Sequence, residues 1–139
     1  ALSHMYPNGA VSKLVSFPFH WVVRLLIVFF VAQTAARLKR DCDEALKKAG
    51  TTAKFTPVGR VASTGPYATS RNPMYFAILG LPAMVGLLAD NTFVAVGSNV
   101  ALWLYLHAVV VPAEESFLEK QLGDEYKRYC ADVKRWGLF

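Results

Sequence analysis

The sequence predicts an all-α integral membrane protein, and three observations predict it. Of its 139 residues, 54% are apolar and 18% charged, against about a quarter charged in ordinary soluble domains. Apolar runs at 17–36 and 91–111 reach the roughly 20 residues needed to cross the hydrocarbon core, and a shorter run at 75–89 begins with polar residues able to sit among headgroups. Finally, the basic residues segregate. Eight fall between 37 and 72 and five after residue 111, while the stretch before the first run has only Lys13 and the turn at 89–92 has none. Three spans put both basic segments on one side of the membrane, as the cytoplasmic preference of Lys and Arg requires. The net charge of +5 then faces anionic headgroups. No nucleic-acid motif, internal repeat, low-complexity tract or sustained strand pattern is present.

The chain reads as a single membrane domain, 1–139, opening with a tail at 1–16. Its first residues, ALSHM, suit either an expression scar or the end left by removal of a targeting segment. In the first span, 17–36, His20 and Arg24 lie one turn apart, and a charge within a span marks function by default; Arg24 is close enough to the start to snorkel outward. The next segment, RLKRDCDEALKKAG, places Leu38, Cys42, Ala45, Leu46 and Ala49 on one helical face, which predicts an interfacial helix stopped by Gly50. An irregular connector around Pro57 and Gly59 follows. Pro73 then starts the second span, 75–89, at a position where its missing N–H costs nothing, with Asn72 as the expected N-cap. LADNT is long enough only for a tight turn, so the second and third spans (91–111) form an antiparallel hairpin.

Pro112 is expected to end or kink the third span. From 112 to 136 the apolar positions Leu118, Leu122, Tyr126, Tyr129, Cys130 and Val133 recur every three to four residues, predicting amphipathic helices broken at Gly123–Asp124. Cys42 and Cys130 have neither a CxxC pattern nor a histidine at ligand spacing, so they read as reduced thiols, and no metal site is expected.

Candidate chemistry concentrates at two places. Glu114 and Glu115 lie just past the third span. A solvated helix start accounts for them plainly, since acids suit a first helical turn. Alternatively one of them turns inward, because neighbouring helical positions differ by about 100°, and meets hydroxyls or an amine of a ligand. Arg71, Asn72, Pro73 and Tyr75 open the second span. Singly they are a snorkelling arginine, a cap, a first-turn proline and an interfacial tyrosine. A tight hairpin nevertheless brings them beside the acidic pair. His107, seven residues before Glu114, falls on a similar face and either borders this pocket or bonds a neighbouring helix.

GPYATSRNPMY, followed after a span by PAEESFLEKQLGDEYKRYCADVKRW, resembles the isoprenylcysteine carboxyl methyltransferase and phospholipid methyltransferase superfamily of integral membrane enzymes. The likeness rests on Gly65-Pro66-Tyr67, Arg71-Asn72-Pro73 and Tyr75, then Glu114-Glu115, Leu118, Gly123, Tyr126, Tyr129 and Lys134-Arg135. It implies S-adenosylmethionine as methyl donor, held by Arg71, Asn72, Pro73, Tyr75, Glu114, Glu115 and Tyr126. Tyr75 and Arg135 are the implied catalytic residues, with Arg135 and Lys134 suited to hold an anionic group of a lipid-like or prenylated acceptor. The membrane implied is the endoplasmic reticulum, a bacterial inner membrane or another organelle. The chain departs from the pattern at Asn72, where histidine is commoner, at Ala77, where glycine is usual, and at Trp136-Gly137, where proline often follows the arginine. Those departures and the short length raise an alternative: a methyltransferase-derived structural subunit of a larger membrane complex.

Overall fold

The computed structural model describes residues 16–17, 20–51 and 59–137; the tail before residue 16 and the connector from 52 to 58 lie outside them. Among the described residues the fold is helical throughout, with no strand.

The first helix, α1, runs Trp21–Lys48, about 42 Å at 1.5 Å per residue. It starts later than the apolar run because His20 caps it, Nδ1 accepting the Val22 N–H at 3.4 Å. The segment expected as a separate interfacial helix is the continuous second half of α1. Nothing interrupts it: 32–48 contains no Gly or Pro, it is rich in strong helix formers, and i,i+4 ion pairs join Lys39 to Asp43 and Glu44 to Lys48. Its predicted apolar face is real, with Cys42 and Ala45 buried. The helix ends in a paired turn: Gly50 N–H bonds the Lys47 carbonyl at 3.0 Å and Thr51 N–H the Leu46 carbonyl at 3.0 Å. Such an ending needs a left-handed residue, and Gly50 supplies it at φ 71°.

A 3₁₀ turn, Gly65–Ala68, precedes α2, Pro73–Leu88. Its interior Pro82 forgoes one ladder bond, to the Ile78 carbonyl. Asp90 and Asn91 turn the chain into α3, Thr92–Tyr105, where the Asn91 side chain accepts the Val94 N–H at 3.0 Å. The hairpin is close: a Cβ on Gly86 would lie 2.4 Å from the Ala95 backbone, so glycine lets α2 and α3 touch main chain to main chain. α2 packs against both α1 and α3. At the turn, Asp90 ties α1 to the hairpin by pairing with Arg24 and accepting the Phe17 N–H. Arg24 is therefore held by a carboxylate and does not simply snorkel.

Pro112 does not end the third helical run. The chain passes through a wide π turn, Leu106–Val110, into α4, Val111–Leu122, giving one helical stretch over Thr92–Leu122. A proline ring collides with the carbonyl four residues earlier, here Ala108, and the widened turn lies at that carbonyl. After Gly123, at φ 53°, α5 runs Asp124–Asp132.

Two helices, Trp21–Lys48 and Thr92–Leu122, are long and apolar enough to cross a membrane. No residue in the most apolar window of α1 is buried, unlike a core helix of a soluble protein. Leu26, Phe29 and Phe30 on α1, Leu81 and Val85 on α2, and Phe93, Val96 and Leu104 on α3 all face outward. So much contiguous apolar surface requires a nonaqueous surrounding.

Candidate functional site

The two sequence clusters meet at one end of the hairpin, and the segment from Val133 to Gly137 stitches them. Arg71 N–H bonds the Lys134 carbonyl at 3.0 Å. The Arg135 carbonyl accepts from Ser70 Oγ at 3.2 Å and from Asn72 Nδ2 at 3.1 Å. Asn72 is thus not the side-chain cap expected for α2: its amide turns instead to the Arg135 carbonyl in the tail. Trp136 is buried against Tyr75, Phe76 and Trp103, and its indole N–H donates to His107 Nδ1 at 3.1 Å. The next residue, Gly137, has φ 73°, and a Cβ there would lie 2.8 Å from the Thr69 carbonyl oxygen. A proline in this place would have neither the indole's reach nor the left-handed bend.

Within this frame Glu115 is heavily engaged. Its Oε1 lies 3.2 Å from Arg71 Nη1 and accepts Arg135 Nε at 3.1 Å, and Oε2 pairs with Arg135 Nη2. Arg71 Nη1 also reaches Cys130 Sγ. Burial opposes the Arg71 charge, but Glu115, with Cys130 and Tyr126, outweighs it and raises the guanidinium pKa. Glu114 instead interacts with the Tyr75 hydroxyl. The Tyr129 hydroxyl donates to the Tyr67 carbonyl at 2.7 Å. Burial is the main cause that pushes the hydroxyls of Tyr67, Tyr126 and Tyr129 well above the usual phenol range.

These residues border a partly open pocket of about 290 Å³, near the lower end of small-molecule sites, which span roughly 300–1,000 Å³. Of the predicted site residues, Arg71, Asn72, Tyr75, Glu114, Glu115 and Tyr126 line it. Pro73 is buried at the start of α2 and does not line it. Arg135 supports the floor through Glu115, and Lys134 is exposed. Both glutamates reach the pocket, contrary to the expectation that only one would, because a three-torsion side chain swings across the 100° between neighbouring positions. His107 does not line the pocket. The π turn inserts an extra residue per turn between it and Glu114, so a seven-residue spacing no longer means one face. Sequence reasoning missed the contributions of Leu46 and Thr51, carried in from the end of α1. The Gly50 stop was the available signal, since it fixes where the chain turns back.

The fold and the pocket define an all-helical membrane protein with a polar-floored hollow at one end of its apolar helices. The chain belongs to the phospholipid methyltransferase family, whose sequence profile matches residues 23–125. It is also similar to an uncharacterized protein of Haemophilus influenzae, 32% identical over 63 residues, covering 45% of this chain and 98% of that one. No solved structure matches the chain. The family points to a membrane methyltransferase.

Proposed function

We propose that the protein transfers a methyl group from S-adenosylmethionine to a lipid acceptor, that α1, α2 and α3 each cross the bilayer, and that residues 112–136 complete the cofactor site. The observation that carries this reading is the pocket in which the RNPMY and EE clusters converge. Three spans follow from the basic residues at 37–72 and after 111, with α2, about 24 Å long, reaching the interface through Asn72 and Arg71.

The residues present suit the cofactor. Arg71 lines the pocket, and its buried Nε has no hydrogen-bond partner among the described residues; an orphaned guanidinium donor is costly unless a ligand uses it, and the cofactor's carboxylate is a fitting acceptor. Glu114, more lightly engaged than Glu115, takes its ammonium group. When bound, S-adenosylmethionine supplies an electron-poor methyl on a sulfonium. The rings of Tyr75 and Tyr126 line the pocket, where an aromatic face attracts such a cation by about 0.5–2 kcal/mol, while Phe117, Leu118 and Leu122 keep water away. One-step displacement asks of the protein mainly alignment and dryness. A purely structural subunit has no use for a polar hollow lined by unpaired donors, so the enzyme reading is preferred.

Calorimetric titration of the detergent-solubilised protein with S-adenosylmethionine tests this. Saturable one-site binding is expected, weakened at least about tenfold by Glu114→Gln, the loss of one charge-assisted bond. No binding at millimolar ligand, with the helical circular dichroism intact, overturns it.

A further inference from the structure

Thr51 lies outside both sequence clusters, yet it lines the same pocket. It is 8% exposed, and its Oγ1 is buried with no hydrogen-bond partner among the described residues. Several other hydroxyls behave differently. Thr34 Oγ1 bonds the Phe30 carbonyl at 2.9 Å, Thr69 Oγ1 the Pro66 carbonyl at 3.1 Å, and buried Ser70 the Arg135 carbonyl. Hydroxyls with a carbonyl in reach take it, and a buried one left unmade is rare and destabilising. Nor is Thr51 placed loosely. The left-handed Gly50 and the bond from Thr51 N–H to the Leu46 carbonyl fix its backbone at the end of α1, so the hydroxyl is presented to the pocket by a rigid element. A valine would fill the same space without the orphaned oxygen.

We infer that Thr51 is a ligand-binding residue whose hydroxyl bonds the nucleoside part of the pocket's occupant. This rests on the proposed use of S-adenosylmethionine. The charged amino-acid end of that molecule is matched by Arg71 and Glu114. An uncharged hydroxyl, at once donor and acceptor, suits the ribose hydroxyls or adenine edge that remain. The apolar neighbours Leu46 and Leu122 suit a flat base. Thr51 thereby makes α1 a third wall of the site and gives it discrimination that the two motifs do not encode.

The test compares wild type, Thr51→Val and Thr51→Ser in detergent by calorimetry with S-adenosylmethionine and, separately, with 5′-methylthioadenosine, which keeps the nucleoside and lacks the amino acid. Thermal unfolding without ligand is measured alongside. Thr51→Val is expected to bind both ligands about tenfold more weakly, the loss of one hydrogen bond that leaves its partner unpaired. Thr51→Ser is expected to bind within a factor of about three of wild type, since the hydroxyl remains. Ligand-free melting of Thr51→Val should be unchanged or higher, because an unsatisfied buried oxygen has been removed. Equal binding by wild type and Thr51→Val overturns the inference and leaves the proposed function standing, as does a loss confined to S-adenosylmethionine. A Thr51→Val chain that melts lower in proportion to its weaker binding overturns it in favour of a packing role. A wild-type chain that binds neither compound overturns both readings.

Discussion

At the scale of single residues, the adjacent carboxylates Glu114 and Glu115 do different work. Glu115 holds two guanidiniums and is 16% exposed as a side chain. Removing one partner from such a buried cluster typically costs about 3 kcal/mol. Glu115→Gln is therefore expected to lower the melting temperature by about 10 °C, followed by circular dichroism in detergent, whereas Glu114→Gln should leave it within a few degrees. A matching drop in both would refute this division. The tyrosine hydroxyls give a second check. Burial raises the folded-state values of Tyr67, Tyr126 and Tyr129, so the stability they contribute is complete below the unfolded phenol value of about 10 and fades as pH climbs past it. Spectrophotometric titration should show at least these three ionising only as the protein unfolds in alkali. The sequence made the two clusters legible because the residue types were unusual for a membrane boundary. It did not reveal that Glu115 answers two arginines, since that depends on Arg135, 20 positions further on, folding back.

Among the elements, the α2–α3 hairpin depends on one glycine. Gly86→Val puts side-chain atoms where Ala95 already sits at 2.4 Å from a Cβ, so the helices must part. Overpacking of this sort costs about 1–3 kcal/mol or more, and the same separation strains the seat of Trp136 between Phe76 and Trp103. Reduced thermal stability with unchanged helical content is expected, and a variant melting like wild type would disprove the tight contact. The hairpin itself could be read from LADNT, and the helix break from Gly123–Asp124. The π turn could not: Pro112 announces a disturbance, but whether the helix kinks, stops or widens depends on whether neighbouring carbonyls find partners, which only packing decides. For the same reason α1 outran its predicted end. Amphipathic spacing marks a buried face without saying whether the helix carrying it bends into the interface.

For the whole molecule, the outward apolar faces are a statement about solvent. Phe29 and Phe30 are 63% and 73% exposed, an expensive arrangement in water and a favourable one in hydrocarbon. Replacing Phe29 with Asp near mid-span is expected to disfavour insertion by about 3 kcal/mol, read as a shift from the membrane to the soluble fraction, while Lys120→Asp on the tail should not move it. The strap at Val133–Gly137 carries a consequence for biogenesis. Residues 133–137 follow both hairpin helices in the chain, so the Lys134 and Arg135 carbonyls reach Arg71 and Asn72, and the Arg135 guanidinium reaches Glu115, only after the helices that present those partners have been synthesised. The last-made piece of the fold is thus the clasp that closes the polar floor.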